Sequence, residues 1–260
     1  MKNILKEVIE IVKNAGSEVL KIYHQNYAIH KKQNKSPVTE ADLISNKIII
    51  KGLRKYGWPI LSEESGDDLS RLKKEKVWII DPLDGTKDFI QKTGEFSIMV
   101  ALVKNGVSVL GIVYKPVGDK FYYALKNQGA FRKRKGRTKK LSVSNINKLS
   151  ESIAVISRNH FRKEDAEIVK KLGISKMIKA GSVGVKIGLI AEKKAHIYFN
   201  ASDKTCEWDT AAPQIILEEA GGKMTDINNE ALRYNKKIVF NLNGILATNN
   251  KNHAKIAKAF

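Results

Sequence analysis

The sequence predicts an α/β (α+β) sandwich, and three observations carry that expectation. Segments with apolar residues at helical spacing alternate with short apolar runs of strand length. Two turns between such runs, Asn105-Gly106 and Gly118-Asp119, suit tight connections between neighbouring strands. The composition is that of a folded chain: 260 residues, 42% hydrophobic and 28% charged, with 18 Gly and 5 Pro. It excludes a disordered or collagen-like polypeptide.

The elements follow in order. Residues 2–23 place Ile4, Leu5, Val8, Ile9, Val12, Ala15, Val19 and Leu20 on one stripe, an amphipathic helix. Ser36-Pro37 marks a break, and a second helix is expected from Thr39 to about Tyr56, ended near Gly57 and Pro59. Val77 to Ile80 reads as a short buried strand. Ser97–Val103, Val107–Tyr114 and Lys120–Leu125 read as a meander. The basic stretch 126–140 is expected to be a solvated connection. Beyond it come a strand at 153–156, a helix at 163–172, a helix from Ser182 to about Lys193 and a strand at His196–Phe199. A last helix is expected at 209–220, with Pro213 in its first turn and Gly221-Gly222 as its stop. The expected organisation is an N-terminal half at 1–140 and a C-terminal half at 141–260, without internal repeats.

Charge and cysteine usage narrow the function classes. With 47 Lys+Arg against 27 Asp+Glu the formal charge is +20, and ten basic residues but no acid lie between Lys120 and Leu149. A solvated hairpin, a nucleic-acid contact and a polyanionic small substrate all fit such a run. No aromatic RNP stretch and no zinc-finger spacing accompany it. The single cysteine, Cys206, excludes an internal disulfide framework and a Cys-rich zinc site, and the five histidines are scattered. A bound metal would therefore be held by oxygen. No run of 18 apolar residues exists, and the N-terminus lacks the apolar stretch of a signal peptide. The expected compartment is the cytoplasm.

The chemistry concentrates in Trp78-Ile79-Ile80-Asp81-Pro82-Leu83-Asp84-Gly85-Thr86-Lys87. Two carboxylates three apart sit just beyond a strand, and Pro82 fixes the backbone between them. Asp-Gly-Thr can then turn the chain into a helix start whose free N–H groups attract a phosphate. Hard oxygen ligands for Mg²⁺ beside a phosphate cradle is one reading; two ordinary Asp turns is the other. Leu61-Ser62-Glu63-Glu64-Ser65 adds two acids after another apolar stretch, and Glu207-Trp208-Asp209-Thr210 adds acids at a helix start. Asp209 also suits an N-cap, and Thr39-x-x-Asp42 a capping box.

Taken together, Pro37-Val38-Thr39-Glu40-Ala41-Asp42, Ser62-Glu63-Glu64, Asp81-Pro82-Leu83-Asp84-Gly85-Thr86 and Trp208-Asp209-Thr210-Ala211-Ala212 resemble, in this order, the motifs of the inositol monophosphatase superfamily. The likeness runs on through Glu219-Ala220-Gly221-Gly222 to Thr225-Asp226. Lys87 after Asp-Gly-Thr, and Gly94-Glu95-Phe96-Ser97, are most similar to the CysQ-type 3′(2′),5′-bisphosphate nucleotidases. The resemblance implies a layered α-β-α-β-α sandwich and a Mg²⁺-dependent, lithium-sensitive phosphatase. Its substrate would be a small phosphorylated nucleotide, adenosine 3′,5′-bisphosphate. The alternatives are an inositol or fructose-1,6-bisphosphatase-like sugar phosphatase and, in another class, a basic nucleic-acid-binding protein.

The same resemblance implies roles. Glu63, Asp81 and the Leu83 carbonyl would hold one Mg²⁺, and Asp81, Asp84 and Asp209 a second, with Glu64 supporting a third. Thr86 and Asp42 would activate the attacking water. Gly85, Thr86 and Lys87 would receive the scissile phosphate. Ser157 and His160 would line the nucleotide site, and Ser182 and Lys186 would meet the second phosphate. The expected assembly is a monomer or homodimer.

Overall fold

The computed structural model describes residues 1–25, 27, 29–31 and 37–260. Helix α1 (Lys2–Tyr23) buries Leu5, Val8, Ile9, Val12, Ala15 and Val19, the stripe read from the sequence. Strands β1 (Ile29–Lys31) and β2 (Pro37–Thr39) form a two-stranded antiparallel ribbon. Of the expected break at Ser36-Pro37, Ser36 lies outside the described residues, and Pro37 opens β2. Helix α2 (Glu40–Leu53) follows and ends in a 3₁₀ turn, Arg54–Tyr56, closed by Gly57 at φ 68°.

A seven-stranded sheet comes next: β3 (Ile60–Ser62), β4 (Lys76–Asp84), β5 (Ser97–Lys104), β6 (Val107–Lys115), β7 (Lys120–Leu125), β8 (Ala130–Arg134) and β9 (Arg137–Lys140). The strands lie side by side in chain order; β3 is parallel to β4 and every other pair is antiparallel. A short helix, α3 (Thr86–Ile90), links β4 to β5. The chain continues through β10 (Ile153–Ser157), α4 (Lys163–Lys171), β11 (Lys176–Ala180), α5 (Val183–Ala191), β12 (Ile197–Asn200), α6 (Glu207–Glu219), β13 (Lys223–Thr225), β14 (Ile245–Thr248) and α7 (His253–Ala257). The second sheet has the order β11-β10-β12-β14-β13.

Side-chain alternation along the strands builds the layers. Trp78, Ile80, Val100, Leu102 and Ile112 face α1 and α2, whereas Val77, Ile79, Met99 and Ala101 face Ala211, Ala212 and Ile215 of α6. Helices α5 and α6 turn their other faces to Val155, Tyr198, Met224 and Ala247 of the second sheet. On that sheet's far side Ala154, Ile156, Phe199 and Leu246 meet Val169 of α4 and Ile256 of α7. The result is the α-β-α-β-α stack. Gly111 permits the central contact, since a Cβ there would stand 2.6 Å from the Ala212 carbonyl oxygen.

Several local expectations change. The stretch 126–140 is not a bare connection: β8 and β9 extend the first sheet, held inward by buried Ala130 and half-buried Phe131 while β9 is exposed throughout. Strand β4 is longer than Val77–Ile80 and carries both aspartates inside its end. Helix α6 starts at Glu207, so Pro213 lies in its interior and deprives the Asp209 carbonyl of its i+4 donor.

Candidate active site

The β4–β5 register runs unbroken to Asp81↔Met99 and resumes at Asp84↔Ser97, with one extra residue on β4 between. Pro82 has no N–H to give the ladder, so a bulge here sacrifices little. Its carbonyl is held instead by Ser45 Oγ of α2 at 2.7 Å. Asp81 Oδ1 accepts from the Leu83 N–H at 3.0 Å. Asp84 Oδ2 accepts from Ser182 Oγ at 2.5 Å and from the Gly184 N–H at 3.1 Å, the first turn of α5. Asp209 is the third residue of α6 rather than its N-cap, and its Oδ2 reaches back to the Cys206 N–H at 2.6 Å. Oxygens of Asp81, Asp84 and Asp209 all lie within 4.8 Å of one another.

Such a grouping is electrostatically unfavourable by itself. Burial, then the charges of Glu63, Asp84 and Asp209, push the Asp81 carboxyl well above the usual range. Burial, then Asp84, does the same to Asp209. Asp84 is raised by burial and pulled back by Lys186 and Ser182. Asp81 Oδ2 and Asp209 Oδ1 accept no hydrogen bond among the described residues. Converging carboxylate oxygens with unspent lone pairs fit a hard divalent cation, whose charge would offset the repulsion.

Glu63 stands where the parallel partner of β4 ends. Its N–H donates to the Ile80 carbonyl at 3.3 Å, and its charge bears on Asp81, Asp209 and Asp42. Asn46 of α2 holds this turn: its Oδ1 accepts from Ser62 Oγ at 2.7 Å, and its Nδ2 donates to the Glu64 carbonyl at 3.3 Å. Glu64 is half-buried in the same turn.

Beside the carboxylates, Thr86 Oγ1 lies 3.1 Å from Asp42 Oδ1 and 3.3 Å from the Leu83 carbonyl. Asp42 is buried, and burial raises its pKa above the ordinary value despite hydrogen bonds from Thr39 and Thr86. It is also the capping-box residue of α2, with Oδ2 accepting from the Thr39 N–H at 2.8 Å and Thr39 Oγ1 at 2.7 Å. The capping box is thus present, and the other oxygen of the same carboxyl meets Thr86. Gly85 has φ 93°, and a Cβ there would crowd the Glu95 carbonyl at 3.3 Å. Glycine thus lets the chain turn into α3 against its neighbours.

The residues expected to select substrate divide into an inner and an outer group. Ser182 and Lys186 are 1% and 3% exposed. Ser182 caps α5 through the Val185 N–H at 3.2 Å, and Lys186 Nζ donates to the Gly181 carbonyl below the Tyr198 ring. Lys186 is therefore an internal counter-charge to Asp84. Lys87 and His160 are exposed and Ser157 is half-buried. Partial desolvation, then the charges of Lys87, Lys186 and Lys204, push the His160 imidazole down.

Residue-level reading overlooked Ser45, Asn46, Lys204 and the buried Asp88. The signal for the first two was available, because polar residues stand on the buried face of α2 with Asp42 and Ile49. Asp88 accepts from Asn159 Nδ2 at 2.9 Å and pairs with Arg158 at 3.3 Å, tying α3 to the segment after β10. Only the fold brings those partners together.

Comparisons with known proteins agree with this geometry. A model of the inositol monophosphatase family matches residues 1–260. The 3′(2′),5′-bisphosphate nucleotidase CysQ of Aggregatibacter actinomycetemcomitans is 37% identical over 92% of this chain and 90% of its own. That of Salmonella typhimurium is 35% identical over 91% of this chain and 96% of its own. The crystal structure of CysQ from Bacteroides thetaiotaomicron superposes with a TM-score of 0.84 at 32% identity, covering 96% of this chain and 98% of that one. Motif order, layered fold and carboxylate geometry converge with these matches: the chain belongs to the inositol monophosphatase family.

Proposed function

We propose that the chain is a Mg²⁺-dependent phosphatase that hydrolyses the 3′-phosphate of adenosine 3′,5′-bisphosphate, giving AMP and phosphate. The observation that carries the reading is the convergence of Asp81, Asp84 and Asp209 oxygens within 4.8 Å beside the Thr86–Asp42 pair. The likeness to nucleotidases at 35–37% identity favours a nucleotide substrate.

In this mechanism Asp81, Asp84 and Asp209, with Glu63 and the Leu83 carbonyl, would hold two Mg²⁺ ions, and Glu64 would support a third. Bound Mg²⁺ would supply Lewis-acid polarisation of the phosphoryl group and acidify the attacking water. Thr86 Oγ1 accepts a hydrogen bond from that water while donating its own proton toward Asp42 Oδ1. Asp42 is suited to take up the proton, because burial makes it a stronger base than an exposed aspartate. The N–H groups of Gly85, Thr86 and Lys87, at the start of α3, receive the scissile phosphate. Lys87, His160 and Lys204 meet the second phosphate, and Ser157 lines the nucleoside side. Lys186 and Ser182 act from behind, holding Asp84.

The experiment is kcat/KM for adenosine 3′,5′-bisphosphate and inositol 1-phosphate with Mg²⁺, in wild type, Asp84→Asn and Lys87→Gln. Wild type should prefer the nucleotide. Asp84→Asn should fold yet lose about two orders of magnitude or more in turnover on both substrates, the scale of removing one transition-state-stabilising group. Lys87→Gln should weaken the nucleotide about ten- to hundredfold, the range of a lost charged hydrogen bond, and spare inositol 1-phosphate. A wild-type preference for inositol phosphate would move the chain to the inositol or sugar phosphatases. Absence of metal-dependent phosphate release would leave nucleic-acid binding as the better reading.

A further inference from the structure

Helix α5 has two charged ends. At its start Ser182 and Gly184 hold Asp84; about 13 Å away, at 1.5 Å per residue over its length, a cavity of about 250 Å³ opens between its last residues and the β8–β9 hairpin. Arg132, Lys139, Lys140, Lys193 and Lys194 line it together with one acid, Glu192. None of the candidate active-site residues is among them.

The cations are more numerous than the structure needs. Glu192 Oε1 accepts from the Tyr122 hydroxyl at 2.8 Å and faces Lys120 Nζ at 3.3 Å, and its Oε2 faces Lys194 Nζ at 2.6 Å. These partners already balance its charge, although Oε2 is held as an ion pair without hydrogen-bond geometry. The end of α5 is satisfied by backbone: Lys193 N–H donates to Ile190 O, and Lys194 N–H to Leu189 O. Its lysines are therefore not required as caps. Arg132 is the anomaly. Its side chain is 29% exposed, its Nε is buried without a hydrogen-bond partner, and its Nη1 stands 3.7 Å from Glu192, beyond hydrogen-bond reach. A guanidinium carries five donors in a planar fork suited to phosphate oxygens. The Nε–H is closed off within the wall, so the ends of the fork, on a side chain 29% exposed and held to Glu192 only by the long 3.7 Å ion pair, are what a ligand would meet.

We propose that this cavity is a second anion site, separate from the carboxylate centre, that binds a compact diphosphate group, free or carried on a nucleotide. Its volume lies below the roughly 300–1,000 Å³ of sites for drug-sized ligands, which suits linked phosphates better than an enclosed nucleoside. Arg132 provides the oriented donors and Lys139, Lys140 and Lys193 the surplus charge.

The test is calorimetric titration of the full chain with pyrophosphate and, separately, with ADP, at low salt in EDTA, where the active-site carboxylates repel anions. Saturable one-to-one binding of either is expected. Tighter binding of ADP than of pyrophosphate, or response to ADP alone, points to a nucleotide-borne diphosphate, and tighter or exclusive binding of pyrophosphate to the free ion. Arg132→Gln should weaken binding at least tenfold and Arg132→Lys by less. Arg137→Gln, which removes one charge from the same hairpin outside the cavity, should change it less than twofold. Phosphatase turnover and thermal midpoint should be unaltered in Arg132→Gln. No saturable binding, or equal weakening by Arg132→Gln and Arg137→Gln, overturns the proposal. Tighter binding of a single-stranded RNA oligonucleotide, weakened alike by both variants, would replace it with a diffuse nucleic-acid face.

Discussion

Two carboxylates of the site commit one oxygen to a helix start and leave the other for the centre. Asp42 gives Oδ2 to the start of α2 and Oδ1 to Thr86; Asp209 gives Oδ2 to the start of α6 and keeps Oδ1 unspent. The structural contact fixes the rotamer, and the remaining oxygen is thereby aimed. This explains why local sequence reasoning finds a helix cap and a functional acid equally plausible at one position. The Thr86–Asp42 pair tests the functional half. Thr86→Ala and Asp42→Asn should each lower kcat strongly, and the double variant should be little worse than either, as for residues acting as one unit. Multiplicative losses in the double variant would mean that the two act independently.

At the scale of elements, what was legible in the sequence is what local periodicity encodes. Helix α1, the β5–β6–β7 meander and the start of α5 lie close to where their apolar patterns put them. The motifs of the site were legible because Asp81, Asp84 and Thr86 are near in sequence. What escaped was determined by distant partners. Strands β3 and β13 have three residues each, too few to show a period, and exist because β4 and β14 pair with them. Strands β8 and β9 are masked by charge, since one face of the hairpin is solvated. Ser182 and Lys186 were legible as a helix start, but their burial against Asp84 depends on how α5 packs.

His253, which opens α7, is a contact of the same non-local kind. Thr225 Oγ1 donates to the Asp226 carbonyl at 2.6 Å, so its contact with His253 Nε2 at 2.8 Å must be received from the ring N–H. Nδ1 then accepts from Thr248 Oγ1 at 2.8 Å. One neutral tautomer thus joins β13, β14 and α7, and burial followed by Lys223 pushes its pKa down from 6.5 to about 4. The folded state binds this proton less readily than the unfolded chain. The contribution is therefore fully present above pH 6.5 and is lost as pH falls toward 4, amounting to on the order of 3 kcal/mol. Urea denaturation of wild type and His253→Asn between pH 7.5 and 4.5 checks it. The stability gap between them should narrow as pH falls, and a constant gap would contradict the assignment.

For the whole molecule, the carboxylate centre is a meeting point of separate elements. Asp81 and Asp84 come from β4 of the first sheet, Asp209 from α6 between the sheets, and α5 supports Asp84. A net charge of +20 favours the approach of anions from a distance, yet it does not relieve repulsion among acids packed this closely. Their folded pKa values lie above the ordinary carboxylate value. For such groups the stabilising form is the protonated one, so their contribution is fully present below about pH 3.8 and is lost as pH rises through the raised values. Without divalent cation at neutral pH the centre should therefore strain the packing of α6 on the first sheet. Mg²⁺ at a hundred times its dissociation constant should add about 2.7 kcal/mol, which for a chain of this size raises the thermal midpoint by about 5–10 °C. Asp81→Asn keeps an acceptor for the Leu83 N–H and removes one repelling charge. In EDTA at pH 7 it should melt above wild type, and in Mg²⁺ below it, with little shift of its own between the two conditions. A variant that melted lower than wild type in EDTA, or kept the full Mg²⁺ shift, would mean that Asp81 is held by packing and is no part of the cation site.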